Sequence, residues 1–454
     1  MNVAVIGGGV TGLTAAWRLA AAGHSVRLFE SAPRLGGSVR TEAAEGWMVE
    51  AGPNSFQDSS PEIGGMIGEL GLGPERIEPD PAAKHRFIAR GGRLVALPTP
   101  SDVAGLVSTP LFSFGTKLKI TGESARTPRP RKEDTSVADL VRDHFGAEVL
   151  EKVVQPVIGG IFAGDAERLS TRHAFPKIWE AEGKTGSLVR AGLEAARRRR
   201  ESGLAGAAPL VSFRKGLQAL TDALAARLAP GSVQLGAQVR SIGPGPGKRW
   251  RAAWDGTGGP GAELFDAVVL AIPAWALAQL EVGGAGERPL TSLGAIEHPP
   301  VASVFAGFRR DRVEHRLDGF GVLVPASERR SVLGVIFSSS LFPGRAPEGH
   351  VALTAFVGGA LQPDLARLPK DELVARVCGD LRALLGAQGE PAFARHTLWP
   401  RAIPQYNLGY GSHLEAIAAC ERGHPGLLIG GNARDGISLS DCIMSGTALA
   451  KRVS

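Results

Sequence analysis

The stretch Asn2–Glu30, NVAVIGGGVTGLTAAWRLAAAGHSVRLFE, decides the fold. Asn2–Ile6 is a short β-branched apolar run, Leu13–Ala22 has helical patterning, and Ser25–Phe29 is a second strand ending on an acid, Glu30. The turn between strand and helix reads Gly7, Gly8, Gly9, Val10, Thr11, Gly12, the GxGxxG spacing of a dinucleotide-binding βαβ unit. Each glycine has its own reason. Gly7 permits the tight turn, Gly9 lets the backbone approach a pyrophosphate, and Gly12 lets helix and strand pack closely. The helix N-terminus turns unpaired N–H donors and a positive dipole end toward the phosphates. Glu30 is placed to accept hydrogen bonds from a ribose diol. The unit predicts a Rossmann-like α/β domain.

Further pieces of that domain lie far downstream. Leu217, Leu220, Leu224 and Leu228 follow Gly216 at helical spacing, Val233–Val239 and Ala267–Ala271 read as strands, and Leu427–Ile429 reads as a buried strand. After it come Gly430–Gly436 and a helix beginning near Ile437, whose N-terminus can aim donors at a bound cofactor. The domain is therefore expected to be discontinuous. Val137–Arg200 reads as mostly helical, and Ser124–Asp134, Ala196–Gly206 and Gly243–Gly261 read as surface loops rich in Arg, Gly or Pro. Arg197–Arg200 reads as a solvated helix face, with phospholipid headgroups as the alternative contact.

Composition agrees with this reading. A chain of 454 residues exceeds one ordinary core, so two or three units are expected, and 61 Gly with 31 Pro call for many tight turns. Lys and Arg outnumber Asp and Glu by 51 to 45, which favours anionic ligands or an anionic membrane surface. No basic stripe is interleaved with aromatic residues, which argues against nucleic acid. Cys378, Cys420 and Cys442 lack metal-ligand or redox spacing and suit a reducing cytosol. The chain opens on a strand pattern without a charged leader, and its most apolar run, Ala267–Leu280, is too short to span a bilayer and contains Pro273. A soluble or peripheral cytoplasmic protein is expected. There is no GxSxG or HExxH, and the ten His are scattered, so neither a hydrolase triad nor a metal site is expected.

Arg34–Thr41, RLGGSVRT, resembles the double-glycine signature of the amine oxidase and phytoene desaturase flavoproteins. That resemblance implies one non-covalent FAD. Its loop, with Arg34, Gly36, Gly37 and Ser38, would lie against the phosphates and flavin edge, where side chains collide and an arginine offsets charge.

Longer stretches, running through nearly the whole chain, resemble the protoporphyrinogen oxidase family. They are Glu50–Phe56 (EAGPNSF), Lys84–Phe87 with Leu97 and Pro98, Gly160–Asp165 with Leu169 and Ser170, and Ser212–Leu217 (SFRKGL). Asp318–Pro325 (DGFGVLVP), Ser338–Pro343, Trp399–Tyr410 (WPRAIPQYNLGY) and Asn432–Cys442 continue the series. The resemblance implies an α/β (α+β multidomain) architecture. An FAD-binding domain would take residues 1–75, 208–290 and 405–454, a mixed-sheet substrate domain 76–100 and 291–404, and a helical, membrane-contacting domain 101–207, with the membrane contact drawn from the apolar and basic segment 87–120. It adds Gly52, Pro53, Asn54, Ser55, Val239, Trp399, Asn432, Gly436, Ile437 and Ser438 to the cofactor set of Gly7, Gly9, Gly12 and Glu30. Arg86 would pair with a substrate propionate through two parallel charge-assisted bonds, and Phe320, Leu323 and Phe356 would sandwich the tetrapyrrole.

The implied reaction is the six-electron oxidation of protoporphyrinogen IX to protoporphyrin IX in haem biosynthesis. Each of three steps passes a hydride from a meso carbon to the flavin, with dioxygen as acceptor and hydrogen peroxide as product. No residue is assigned as acid or base, because pyrrole protons can leave to solvent. The family often dimerises. Three other readings stay open. A coproporphyrinogen III-oxidising relative would need more cations for four carboxylates. A flavin amine oxidase would need a paired aromatic cage, hard to build when Tyr406 and Tyr410 are the only tyrosines. A catalytically silent, FAD-bearing tetrapyrrole carrier is the third.

Overall fold

The computed structural model describes residues 1–98, 105, 108–128, 131–201, 208–284 and 286–453, the side chains of 199 and 200 excepted. Parts of the segments 87–120, 124–134 and 196–206 singled out above lie outside the described residues.

Asn2–Ile6 and Ser25–Phe29 pair in parallel, and Val3–Ile6 pairs with Ala267–Leu270 on the other side. Val233–Gln234 and Leu427–Ile429 complete a five-stranded parallel sheet. The middle strand is apolar throughout because both faces are covered, as parallel sheets require. Helix Val10–Ala21 covers one face together with the C-terminal helix Leu439–Val453. A Cβ on Gly446 would lie 2.4 Å from the Thr11 carbonyl oxygen, so only glycine permits this approach.

Three sequence readings are corrected here. Val233–Val239 is not one strand. Gly236, at φ +63°, breaks it, and Ala237–Pro244 enters a separate four-stranded sheet with Trp250–Gly256, Gly261–Phe265 and Glu281–Val282. The 243–261 segment is consequently a hairpin rather than a loop: Trp250, Ala252 and Trp254 alternate inward at the two-residue period of a strand. The described part of 196–206 finishes the helix Leu188–Glu201, supported by an ion pair from Arg197 to Glu201.

The second large layer is a seven-stranded mixed sheet. Its order is Phe393–Trp399, Val301–Arg309, His350–Gly358, Val332–Ile336, Gly319–Leu323, His85–Arg90, Arg93–Ala96. One face packs Phe87, Val322, Val335 and Val304 into a core with Leu373, Val377 and Leu381 of the helix Lys370–Leu385. The opposite face carries the substrate candidates Leu323 and Phe356. Arg76–Ile77, Leu210–Phe213 and Phe56–Gln57 form a small sheet beside the parallel one.

Between Phe114 and Glu201 the described elements are helices. Four of them meet at His144. Its Nδ1 lies 2.6 Å from Glu123, its Nε2 lies 3.2 Å from Glu182, and Arg131 donates to both Glu182 and Asp143. Asp143, His144 and Glu182 converge as metal ligands would, but the guanidinium between the two carboxylates makes the group a closed ion-pair cluster.

Candidate active site

The glycine turn behaves as its spacing demands. Gly7 is at φ +108° and a Cβ there would lie 2.4 Å from the Ala271 oxygen. A Cβ on Gly12 would lie 1.9 Å from the Gly7 oxygen. Gly9 differs: nothing lies within 4 Å of its Cβ position, which leaves the backbone at the helix N-terminus open to a close neighbour such as a pyrophosphate. A Gly12→Ala variant should therefore lose its flavin and, by the usual cost of overpacking, about 1–3 kcal/mol of stability. Flavin content after gel filtration and thermal denaturation check both effects.

The double-glycine loop lies across the first. Gly36 donates to the Gly8 carbonyl at 2.8 Å, and a Cβ on Gly37 would lie 3.2 Å from the Gly9 Cα. Arg34 donates to the carbonyls of Leu35, Val39 and Gly37, so its guanidinium shapes the loop rather than standing free for phosphates. Glu30 accepts from the amides of Gly8 (2.7 Å) and Ala32 (2.8 Å), fastening the turn to the end of the second strand. Ala237 donates to the Glu30 carbonyl, which brings the buried Val239 two residues from the acid. These groups fit a dinucleotide: an open glycine at a helix N-terminus and an acid at the second strand's end.

Ser38, Gly52 and Trp399 meet on the far side of this cradle. A Cβ on Gly52 would lie 2.1 Å from the Ser38 oxygen, Asn54 donates to the Gly52 carbonyl, and the Trp399 indole donates to the Ala51 carbonyl at 2.8 Å. Pro53 and Ser55 are half-buried in the same segment.

The C-terminal helix starts at Leu439, two residues later than the expected Ile437. Gly436, at φ +117°, turns the chain out of helical geometry, and Ser438 is the cap. The Asp441 amide donates to the Ser438 hydroxyl, and the Ser438 amide donates back to the Asp441 carboxylate, a reciprocal box. Two residues given no cofactor role in the sequence hold the Asn432–Gly436 loop. The Tyr406 hydroxyl donates to the Asn432 carbonyl (2.5 Å) and accepts from the Gly436 amide (3.1 Å), and Tyr410 donates to the Ala433 carbonyl (2.8 Å). Burial pushes both phenols far above their ordinary pKa, so they remain protonated donors. Their only signal in the sequence is that a buried tyrosine needs a partner. The rings lie 4.3 Å apart, too close to admit a substrate between them, which removes the aromatic-cage arrangement. Tyr406→Phe should cost about 1–3 kcal/mol and shift the flavin absorption bands, because it leaves a part-buried carbonyl and a part-buried amide without their partner; unchanged bands and melting would refute the clamp.

Strand register gathers the substrate candidates. Leu323 pairs with Gly334, Gly334 with Phe356, Phe356 with Ser303, and Ser303 with Thr397, so all five project on one face of the large sheet. Trp399 is two residues beyond Thr397 on that face, and Arg86, paired with Gly321, is two residues before Ile88, the partner of Leu323. Gly334 lies between Leu323 and Phe356, and the Leu323 side chain closes over it: a Cβ there would lie 2.9 Å from the Val322 carbonyl oxygen and 3.3 Å from the leucine Cδ2. The face thus runs from Trp399, beside the cradle, to Arg86, five strand spacings or about 24 Å away. A β-bulge at Phe320 turns its ring toward Arg86, whose guanidinium lies 5.4 Å from the ring centroid. Arg86 is exposed and has no carboxylate partner among the described residues. Helix Gln155–Phe162 covers Leu323, and a Cβ on Gly160 would lie 2.8 Å from the leucine Cδ2, so a larger residue there would make the leucine side chain turn.

Residues 10–454 match the family described as flavin containing amine oxidoreductase. Protoporphyrinogen oxidase 2 of Arabidopsis thaliana is 32% identical, with 100% of this chain and 93% of the relative covered. Coproporphyrinogen III oxidase of Bacillus subtilis is 28% identical over 98% of this chain and 96% of the relative. A solved structure from Exiguobacterium sp. 255-15 superposes with a TM-score of 0.84 at 25% identity, covering 100% of this chain and 98% of that one. With the glycine cradle and the double-glycine loop in place, the chain belongs to the flavin containing amine oxidoreductase family and is a flavoprotein oxidoreductase.

Proposed function

We propose that this protein oxidises protoporphyrinogen IX to protoporphyrin IX, using one non-covalent FAD. When bound, FAD supplies a two-electron acceptor for a hydride from a meso carbon in each of three rounds and passes the electrons to dioxygen, giving three hydrogen peroxide. The observation that carries the reading is Arg86, an unpaired guanidinium stacked on Phe320 at the far end of the apolar face that begins at the cradle. Its fork matches a propionate, and Leu323 and Phe356 are apolar, partly buried side chains on the same face that can contact a macrocycle. The chain's own work is positioning: the carboxylate end is fixed at Arg86 and the ring edge is held toward Trp399. Pyrrole protons leave to solvent, so no side chain is needed as a base.

The full-length likeness to plant protoporphyrinogen oxidases at 32% identity supports this substrate over coproporphyrinogen III, the second reading, which the 28% relative represents. Anaerobic mixing of the yellow protein with each porphyrinogen separates them. Flavin bleaching with protoporphyrinogen alone is expected; preference for coproporphyrinogen selects the second reading, and bleaching with neither overturns both.

Peripheral contact with an anionic membrane, on the cytoplasmic face, is part of the same proposal. Phe114 and Leu118, 83% and 65% exposed, stand one turn apart on the helix Phe114–Glu123, with exposed Leu193 and Ile178 in the same helical unit. No described helix is long and apolar enough to cross a membrane. Binding to anionic lipid vesicles that is lost on Phe114→Ser with Leu118→Ser is expected; undiminished binding by the double variant would place the contact elsewhere.

A further inference from the structure

The segment 403–410 touches both the helix Gln155–Phe162, which covers Leu323, and the loop 432–436 that precedes the last helix. Its backbone is bonded to the chain beyond the covering helix: Ser170 donates to the Tyr406 carbonyl and Leu408 to the Arg168 carbonyl, each at 2.8 Å. Two consecutive side chains then reach the two elements. The Tyr406 hydroxyl holds the Asn432 carbonyl and the Gly436 amide. The Gln405 side-chain nitrogen donates to the Phe162 carbonyl (2.8 Å), at the last residue of the covering helix, and to the Ile403 carbonyl (3.0 Å). The Phe162 and Tyr406 rings meet edge to face, 6.3 Å apart.

The end of the helix needs such a donor, because the last carbonyls of a helix have no partner within it. Ala163, at φ +49°, turns the chain away and returns its amide to the Gly159 carbonyl, which leaves the Phe162 carbonyl to Gln405. Chemistry fixes the orientation of the amide: both of its neighbours are carbonyls, which only accept, so the nitrogen end faces them. Gln405 is 3% exposed, and its oxygen has no hydrogen-bond partner among the described residues. A Cβ on Gly164 would lie 2.5 Å from that oxygen, so the glycine leaves it room. A buried acceptor left unanswered costs stability that an apolar side chain of the same length would not cost. The residue is therefore explained by its donors and not by its packing.

We propose that Gln405 is a positioning residue: its amide holds the helix over the substrate face in register with the loop that Tyr406 closes on the cofactor side. It thereby sets the distance between macrocycle and flavin. The proposal rests on the porphyrinogen reading of the Leu323 face and on the assignment of Asn432 and Gly436 to the cofactor, and it adds no chemical step. Hydride transfer is steeply sensitive to alignment, a misplacement of about 1 Å costing up to about 100-fold. Affinity is set elsewhere, by Arg86 and the sheet side chains, which a change at Gln405 leaves in place.

The test uses flavin-loaded Gln405→Met, which keeps the length of the side chain and loses its donors. The backbone bonds of the segment to Arg168, Ser170 and Glu297 remain, so the flavin should stay bound. On anaerobic mixing with protoporphyrinogen IX, flavin reduction should be about 10- to 100-fold slower than in the wild type, with KM unchanged. Without turnover, protoporphyrin IX should shift the flavin absorption bands of the wild type and shift those of the variant less, at the same porphyrin Kd from fluorescence quenching. Gln405→Glu regains one donor when its carboxyl is protonated, so its reduction rate relative to wild type should rise as pH falls. The same comparison decides the matter if Gln405→Met sheds its flavin. Wild-type reduction by Gln405→Met, or a loss confined to KM, overturns the proposal and leaves the porphyrinogen reading standing. A loss that Gln405→Glu shares equally at every pH assigns the residue to packing and overturns it too. A wild type reduced by neither porphyrinogen overturns both.

Discussion

Arg345→Met should lower folding stability by about 3–5 kcal/mol, the cost of leaving one partner of a buried ion pair alone. Arg345 is 2% exposed and its guanidinium donates to the Ser212 hydroxyl (2.8 Å), the Phe213 carbonyl (3.1 Å) and the Met48 sulfur, 3.7 Å from the Glu50 carboxylate. Glu50, equally buried, accepts from the Leu217 amide (2.9 Å) and the Thr41 hydroxyl (2.7 Å). The pair ties the strand Trp47–Glu50, the strand Leu210–Phe213 and the start of the helix Gln218–Ala225 to the large sheet's loop. Each sits next to the cradle, so flavin should be released at a lower urea concentration in the variant.

The same pair sets a pH dependence. Burial pushes the Glu50 carboxyl above its ordinary 4.5, against the pull of the Leu217 amide, Thr41 and Arg345. A group whose pKa is raised on folding stabilises the fold below its unfolded value, and that contribution is lost as pH rises through the folded value. Relative to Glu50→Gln, the wild type should therefore lose stability as pH climbs from 4.5. Removing Arg345 takes away one of the downward pulls and should extend the loss to higher pH. Urea denaturation across pH 4–8 reads both effects, and parallel curves for wild type, Glu50→Gln and Arg345→Met would refute them.

Arg86→Met should reduce kcat/KM for protoporphyrinogen IX by about 10- to 100-fold, the range of a hydrogen-bonded contact to a charged group. The loss should fall on KM, because a propionate contact distant from the reacting carbon binds ground and transition states alike. Arg86→Lys should recover part of it, since an ammonium supplies charge without the planar fork. The flavin spectrum should not change, as Arg86 lies about five strands from Trp399. Esterifying the propionates should bring the wild type down to the variant's efficiency. An unchanged KM in Arg86→Met would remove the residue from the site and, with it, the observation on which the substrate assignment rests.

What the sequence by itself determined lies within short reach along the chain. The strands Asn2–Ile6 and Ser25–Phe29 match the sequence pattern, and Gly7 and Gly12 make the tight turn and the close approach their spacing implies, because a turn's backbone demands are settled by a few consecutive residues. The Leu217 to Leu228 spacing likewise marks buried positions, Leu220 and Leu224 on the inner face of the helix Gln218–Ala225 and Leu217 and Leu228 just outside its two ends. What failed was also local in form but decided elsewhere. Val233–Val239 reads as one strand until Gly236 sends its halves to two different sheets, and 243–261 reads as loop until the alternation of Trp250, Ala252 and Trp254 finds strands on both sides. Arg345 stands two residues beyond the Ser338–Pro343 stretch and carries no signal of its own in the sequence, because its partners are 132 to 297 residues away. In the sequence Tyr406 and Tyr410 are only too few tyrosines for an aromatic cage, whereas in the fold the Tyr406 hydroxyl closes the loop before the last helix. Backbone conformation is a property of neighbours in sequence and can be read there. Burial, pairing and the shared face that lines up Trp399, Phe356, Leu323 and Arg86 depend on strands brought together from across the chain, so only the tertiary structure decides them.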